Sequence, residues 1–94
     1  MAIEYSFSWD PQKAAANLKK HGVGFPEAIT AFADPLSITI PDPAHSIKEQ
    51  RYLMVGLSNR GRLLVVAHSE LINEIRLINA RPATRAERET YEES

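Results

Sequence analysis

Four arginines and a closing tyrosine crowd residues 75–91, IRLINARPATRAERETY: Arg76, Arg81, Arg85, Arg88 and Tyr91. A guanidinium is a rigid, permanently charged fork that grips phosphate or carboxylate through two parallel N–H bonds. Such a cluster in a chain of formal net charge −1 points to an anion site, with ion pairing on a solvated surface as the plain alternative. Thr84-Arg85-Ala86-Glu87 has the form of a helix capping box, which sets Arg85 at the first helical position and Arg88 three residues on. Cations there oppose the helix dipole by a few tenths to ~1 kcal/mol, whereas free N–H groups at a helix start receive phosphate readily. Pairing of Arg85 with Glu89 and of Arg88 with Glu92, at i,i+4, accounts for the same residues on a surface. Tyr91, six residues after Arg85 and so roughly on its side of the helix, offers a hydroxyl for proton transfer or a ring for stacking. Packing of that ring on a sheet is the structural alternative.

The remaining cations are segregated. All four lysines (Lys13, Lys19, Lys20, Lys48) precede residue 49, and all seven arginines follow residue 50. Between 51 and 88, seven positive charges face three negative ones, Glu70, Glu74 and Glu87. Arg51 and Arg62 open two strands. Arg76 lies inside a third, where Ile75 and Leu77 take one face and Arg76 and Ile78 the other. Arg81 follows that strand, kept extended by Pro82. His68 and Glu70 end a strand two residues apart and point to the same side, a candidate proton-transfer pair; a hydrogen-bonded structural histidine is the alternative. His21 sits at a helix end, where a cation suits the dipole, and His45 lies in a loop with no ligand partner at usable spacing. The chain has no cysteine, no histidine–carboxylate cluster of the kind zinc uses, and no phosphate loop, dinucleotide fingerprint or nucleophile elbow. No metal and no cofactor are expected.

These side chains must be held by the elements around them. EYSFSW (4–9) alternates as a short strand. Asp10 caps a helix that Pro11 begins and Gly22 ends, with Lys19, Lys20 and His21 in its last turn. FPEAITAF (25–32) reads as a second helix, ended by Asp34-Pro35, and LSITI (36–40) as a strand. PDPAHS (41–46) is a turn-rich loop. RYLMVGLS (51–58) and RLLVVAHS (62–69) form a hairpin through Asn59-Arg60-Gly61. The second of these is apolar on both faces from Leu63 to Ala67, so it is expected at the sheet's centre. ELIN turns into a last strand, EIRLINA (74–80), and Thr84 starts the final helix. The order β-α-α-β-β-β-β-α predicts an α+β fold: a small, mostly antiparallel sheet with the first two helices on one face and a C-terminal helix.

Ninety-four residues predict one domain spanning 1–94, with one modest core. The longest wholly apolar run, Leu63 to Ala67, is far short of the ~20 residues that span a bilayer, and MAIEYSFSWD has no features of a secretion signal. With no cysteine, this composition fits a cytoplasmic protein without membrane partners.

Three stretches carry a resemblance: FSWDPQKAAANLKKHGVGFPEAITAFADPL, GLSNRGRLLVVAHSE and IRLINARPATRAERETYEE. Together, from Phe7 to Glu93, they resemble BrnT-type toxins of type II toxin–antitoxin systems, within the wider RelE/ParE-like group. The pairing of WD-x-x-K-x-x-x-N-x-x-KHG with AR-x-AT-x-x-ER is what makes the resemblance specific. It implies a RelE-like fold and metal-independent RNA cleavage by 2′-OH attack, arresting translation and growth. It implies a small BrnA-like antitoxin with a ribbon-helix-helix part, and repression of promoter DNA by the complex. RelE-like nucleases use an arginine at a strand start, another near the last helix, and a tyrosine six residues after it. The matching positions here are Arg62, Arg85 and Tyr91, with Arg81 a rival for the second role. Lys48 and Arg51 stand near the hairpin that RelE precedes with lysines. The expected catalytic set is therefore Arg62, His68, Glu70, Arg85 and Tyr91, and the expected substrate-binding set Arg51, Arg76, Arg81 and Arg88. A non-catalytic module whose arginine-rich face binds an antitoxin or DNA is the alternative, and gyrase inhibition, known among RelE/ParE relatives, a third.

Overall fold

The first helix is set at both ends by local chemistry. The Asp10 carboxylate accepts the Gln12 N–H at 2.8 Å, Pro11 fills the first helical position, and Gly22 adopts φ 70° with its N–H on the Leu18 carbonyl. The structure, a computed structural model, describes residues 5–42 and 49–94. Its elements in chain order are β1 (Ser6–Ser8), α1 (Pro11–His21), α2 (Phe25–Ala31), β2 (Ile38–Pro41), β3 (Arg51–Leu57), β4 (Leu63–Leu71), β5 (Glu74–Pro82) and α3 (Arg85–Glu93). The order is the expected one. β4 and β5 run further than predicted: Glu70 and Leu71 remain in β4, and Arg81 lies within β5 instead of after it. The turn between them narrows to Ile72-Asn73, with Asn73 at φ 56°.

The sheet order is β1-β5-β4-β3-β2, which places the doubly apolar β4 at the centre. The sheet is mixed: β1 pairs parallel with β5 over residues 6–8 and 74–76, and every other pairing is antiparallel. Val23, Phe25, Ala28 and Ala31 pack from the α2 side onto Met54, Leu64, Val66, Ile75, Leu77 and Ala80. Gly56 permits the closest approach; a Cβ there would lie 2.6 Å from the Ala31 carbonyl oxygen. Among the described residues no helix is long and apolar enough to cross a membrane.

One irregularity governs the placement of the arginines. Ala67 pairs with Asn79 but His68 pairs with Leu77, so Ile78 is an extra residue in β5. A bulge reverses the side-chain alternation beyond it. Before it, Ile75 and Leu77 face the core and Arg76 the other side; after it, Ala80 faces the core and Asn79 and Arg81 the other side. Arg76 and Arg81, an odd number of residues apart, thereby share a face.

β1 covers β5 only as far as Arg76, and beyond that point α1 closes the edge through Asn17. The Asn17 amide donates to the Ala80 carbonyl (2.8 Å) and the Val23 carbonyl (2.9 Å) and accepts the Ala80 N–H (3.0 Å), standing in for a neighbouring strand. Replacing Asn17 with alanine leaves three backbone groups to water that can reach them from an adjoining hollow. The expected cost is about 1–2 kcal/mol, read by denaturant melts, with no change in the m-value.

Candidate functional site

Seen from the strands, the sheet surface opposite α1 and α2 carries a transverse row. Arg51 on β3 pairs with Ser69 on β4, Ser69 with Arg76 on β5, and Arg76 with Ser8 on β1. Cross-strand partners project to the same side. Ser69 is buried between its two arginine neighbours, and its Oγ has no hydrogen-bond partner among the described residues. Arg76 is exposed and makes no ion pair among the described residues. Glu74, two residues earlier on the same face, accepts the Ser8 hydroxyl at 2.9 Å. Arg81, beyond the bulge and paired with Val65, completes the set.

α3 lies over the neighbouring part of this face. Glu87, Thr90 and Tyr91 enclose a groove of about 150 Å³ with Ile38, Ile40, Leu53, Val55 and Val65. Two polar latches hold the helix. The Arg81 guanidinium donates to both Glu87 oxygens at 2.7 and 2.8 Å, and the Tyr91 hydroxyl donates to Asp34 at 2.6 Å. Asp34 also accepts the Leu36 and Leu57 N–H groups, and donation to it pushes the Tyr91 phenol up from its ordinary range. The capping box expected at Thr84 is present.

Glu87 titrates at about 2 instead of 4.5, mainly because the Arg81 guanidinium holds its ionised form, with help from the Thr84 N–H against the cost of burial. A depressed carboxylate stabilises the fold fully above its unfolded value near 4.5, and that contribution disappears as pH falls through about 2. Partial exposure of the pair limits the contribution to about 1–2 kcal/mol. Glu87→Gln is therefore expected to melt earlier than the parent at pH 6 and to converge with it near pH 2, which thermal melts across that window would read.

Other expected site residues are placed elsewhere. Arg62 is on the helix side: its Nε donates to Glu27 Oε2 at 3.0 Å, its Nη2 to Glu27 Oε1 and to the Gly22 carbonyl at 3.1 Å. The Ser58 hydroxyl donates to the same buried carboxylate at 2.7 Å, and Arg62 chiefly holds Glu27 below the usual carboxylate range. Arg62 therefore does not meet Arg81 in one hollow; the sheet separates them. His68 and Glu70 do form a pair, Nε2 to Oε2 at 3.0 Å, but on the helix side as well. The ring is fully buried, stacked on Tyr52 and edge-on to Phe32, with Nδ1 3.2 Å from the Val66 carbonyl. Arg85 points to solvent, its side chain 94% exposed and paired, among the described residues, with Glu89 at 3.5 Å. It does not share the side of Tyr91, because six residues at 100° each leave the two about 120° apart. Arg88 is exposed beside it. Lys48 and His45 lie outside the described residues.

Four residues to which the sequence reading gave no site role prove important: Glu27, Asp34, Asn17 and Ser69. Glu27 and Asp34 each have a local signal, an acid in a helix's first turn and an Asp-Pro helix stop, but their partners lie 35 and 57 residues away. Ser69 has no local signal at all.

Comparison with known proteins adds an independent finding. The family model described as the ribonuclease toxin BrnT of type II toxin–antitoxin systems matches residues 9–87. No curated protein sequence matches the chain. Among solved structures, the 1.1 Å crystal structure of the Brucella abortus ribonuclease toxin BrnT superposes with a TM-score of 0.67 at 20% identity, over 86% of this chain and 99% of that one. At that identity the likeness is one of fold.

Proposed function

Because the chain belongs to the BrnT family of ribonuclease toxins of type II toxin–antitoxin systems, we propose that it cleaves RNA on the sheet face carrying Arg51, Ser69, Arg76 and Arg81. The observation that supports this reading is the Ile78 bulge, which puts Arg76 and Arg81 on the same face as Arg51. In this mechanism a ribose 2′-hydroxyl attacks the adjacent phosphorus and the bond to the 5′-oxygen breaks, leaving a 2′,3′-cyclic phosphate and a 5′-hydroxyl. Negative charge gathers on the phosphoryl oxygens, where fixed guanidinium groups act most strongly. We assign Glu74, two residues before Arg76 on β5 and acceptor of the Ser8 hydroxyl, as the acceptor of the 2′-OH proton, and the leaving 5′-oxygen is protonated from solvent. His68 and Glu70 face the other side and the Tyr91 hydroxyl donates to Asp34, so this reading assigns proton transfer to Glu74 and solvent. Dependence on the 2′-OH selects RNA over DNA, and we assign the protein to the cytoplasm.

Membership of a type II toxin–antitoxin family implies an antitoxin partner. We assign that partner to a small BrnA-like protein with a ribbon-helix-helix part, whose complex with the toxin binds promoter DNA.

The test is cleavage of single-stranded RNA by purified protein in EDTA, with the ends mapped chemically. Cyclic phosphate ends, and resistance of RNA carrying 2′-deoxy nucleotides at the cut, support the reading. Absence of cleavage together with antitoxin binding at the arginine face would return the protein to the class of interaction modules.

A further inference from the structure

Beyond Arg76, the outer edge of β5 has no neighbouring strand among the described residues, and α1 touches it through the Asn17 clamp. Around that clamp a hollow of about 410 Å³ opens between helix and strand. Lys13, Lys20, His21, Asn79 and Arg81 line it, and no carboxylate among the described residues does, although Arg81 is itself paired with Glu87. Lys13, Ala16, Asn17 and Lys20 follow the i, i+3, i+4, i+7 spacing of one helix face. The helix dipole accounts for Lys20 and His21, in the last turn, but not for Lys13. Lys13 is third in the helix, where the dipole disfavours a cation; the first turn itself holds no acidic residue, and the Asp10 carboxylate at the cap is engaged by the Gln12 N–H. Neither lysine has an ion-pair partner among the described residues.

Arg81 belongs both to this hollow and to the face of the arginine row. The two surfaces are thus continuous across the edge of β5. We propose that the hollow is a second phosphate seat, in which Lys13 and Lys20 hold the RNA backbone on the nucleotides flanking the cleaved bond. This inference rests on the ribonuclease reading. The lining favours a polyanion's backbone over an acidic peptide, because it is polar and offers only Ala16 and Ile78 for apolar anchoring. The larger hollow under β1 and α2, by contrast, is lined by Tyr5, Phe7, Ile29 and Phe32.

The seat is tested by the salt dependence of binding to a single-stranded RNA made uncleavable by 2′-O-methylation. The Lys13→Gln/Lys20→Gln protein should show a slope of log K against log salt shallower by about 1.4, since each phosphate contact on a single strand contributes about 0.7. Lys19→Gln, on another face of the same helix, should leave the slope unchanged. With a trinucleotide too short to cross the strand edge, the double variant and the parent should bind alike. An unchanged slope in the double variant, while the parent binds and cleaves RNA, overturns the seat alone. Loss of antitoxin affinity in the double variant with RNA binding intact also overturns it, in favour of a peptide site. A parent protein that neither binds nor cuts RNA overturns the ribonuclease reading and the seat together.

Discussion

Arg62→Ala is expected to lower unfolding stability by about 2–3 kcal/mol while the folded protein keeps its cleavage rate. Glu27 is buried, and Arg62 supplies two of its three side-chain hydrogen bonds. Removing the cation leaves a buried carboxylate with a single serine donor. Breaking such a pair from one side costs ~3–5 kcal/mol when both partners are buried, and the partial exposure of Arg62 reduces that figure. In a chain of this size, each kcal/mol moves the melting temperature by roughly 4–8 °C, so the shift is easily read by calorimetry. A second variant separates charge from packing. Glu27→Gln combined with Arg62→Met removes both charges and should recover much of the loss, since the penalty lies in the orphaned carboxylate and not in the absent pair. If Arg62→Ala instead melts like the parent and no longer cuts RNA, Arg62 is a catalytic group and the site lies on the helix side of the sheet.

The two arginine roles show where sequence reasoning reached and where it stopped. Elements governed by neighbours in the chain were legible. Asp10-Pro11 and Gly22 bound α1, Thr84 and Glu87 form their box, and the doubly apolar run of β4 marks the central strand. Arg62 was read as a strand opener but lies one residue before β4, its partner Glu27 lies 35 residues earlier, and only packing of α2 on the sheet brings them together. The same holds for Tyr91: the helix was foreseen, while the Asp34 that fixes its hydroxyl sits in another element. The bulge is the most consequential gap. Strict alternation puts Arg76 and Ile78 on one face and Arg81 on the other. A single extra residue in β5 reverses that, and nothing in EIRLINARP announces it, since the strand has no glycine. It follows from the pairing of β5 with β4, which is a property of two strands and not of either one.

That reversal makes Arg76 the residue whose loss should matter most to chemistry and least to folding. Arg76→Ala is expected to slow RNA cleavage about 10²–10³-fold, the loss typical when one donor to a developing phosphoryl charge is removed. Its guanidinium is exposed and makes no ion pair in the described structure, so the melting curve should hold within ~0.5 kcal/mol. Arg81→Ala should reduce cleavage by a similar factor but also cost stability, because Glu87 loses the partner that docks α3. Arg85→Ala should change neither by more than about twofold, since that side chain faces solvent away from the row. Rate and stability measured together on the three variants thus yield three different signatures. A cleavage rate that survives Arg76→Ala but collapses with Arg85→Ala would place the reacting phosphate at the outer side of α3. The row across β3, β4 and β5 would then have no part in catalysis.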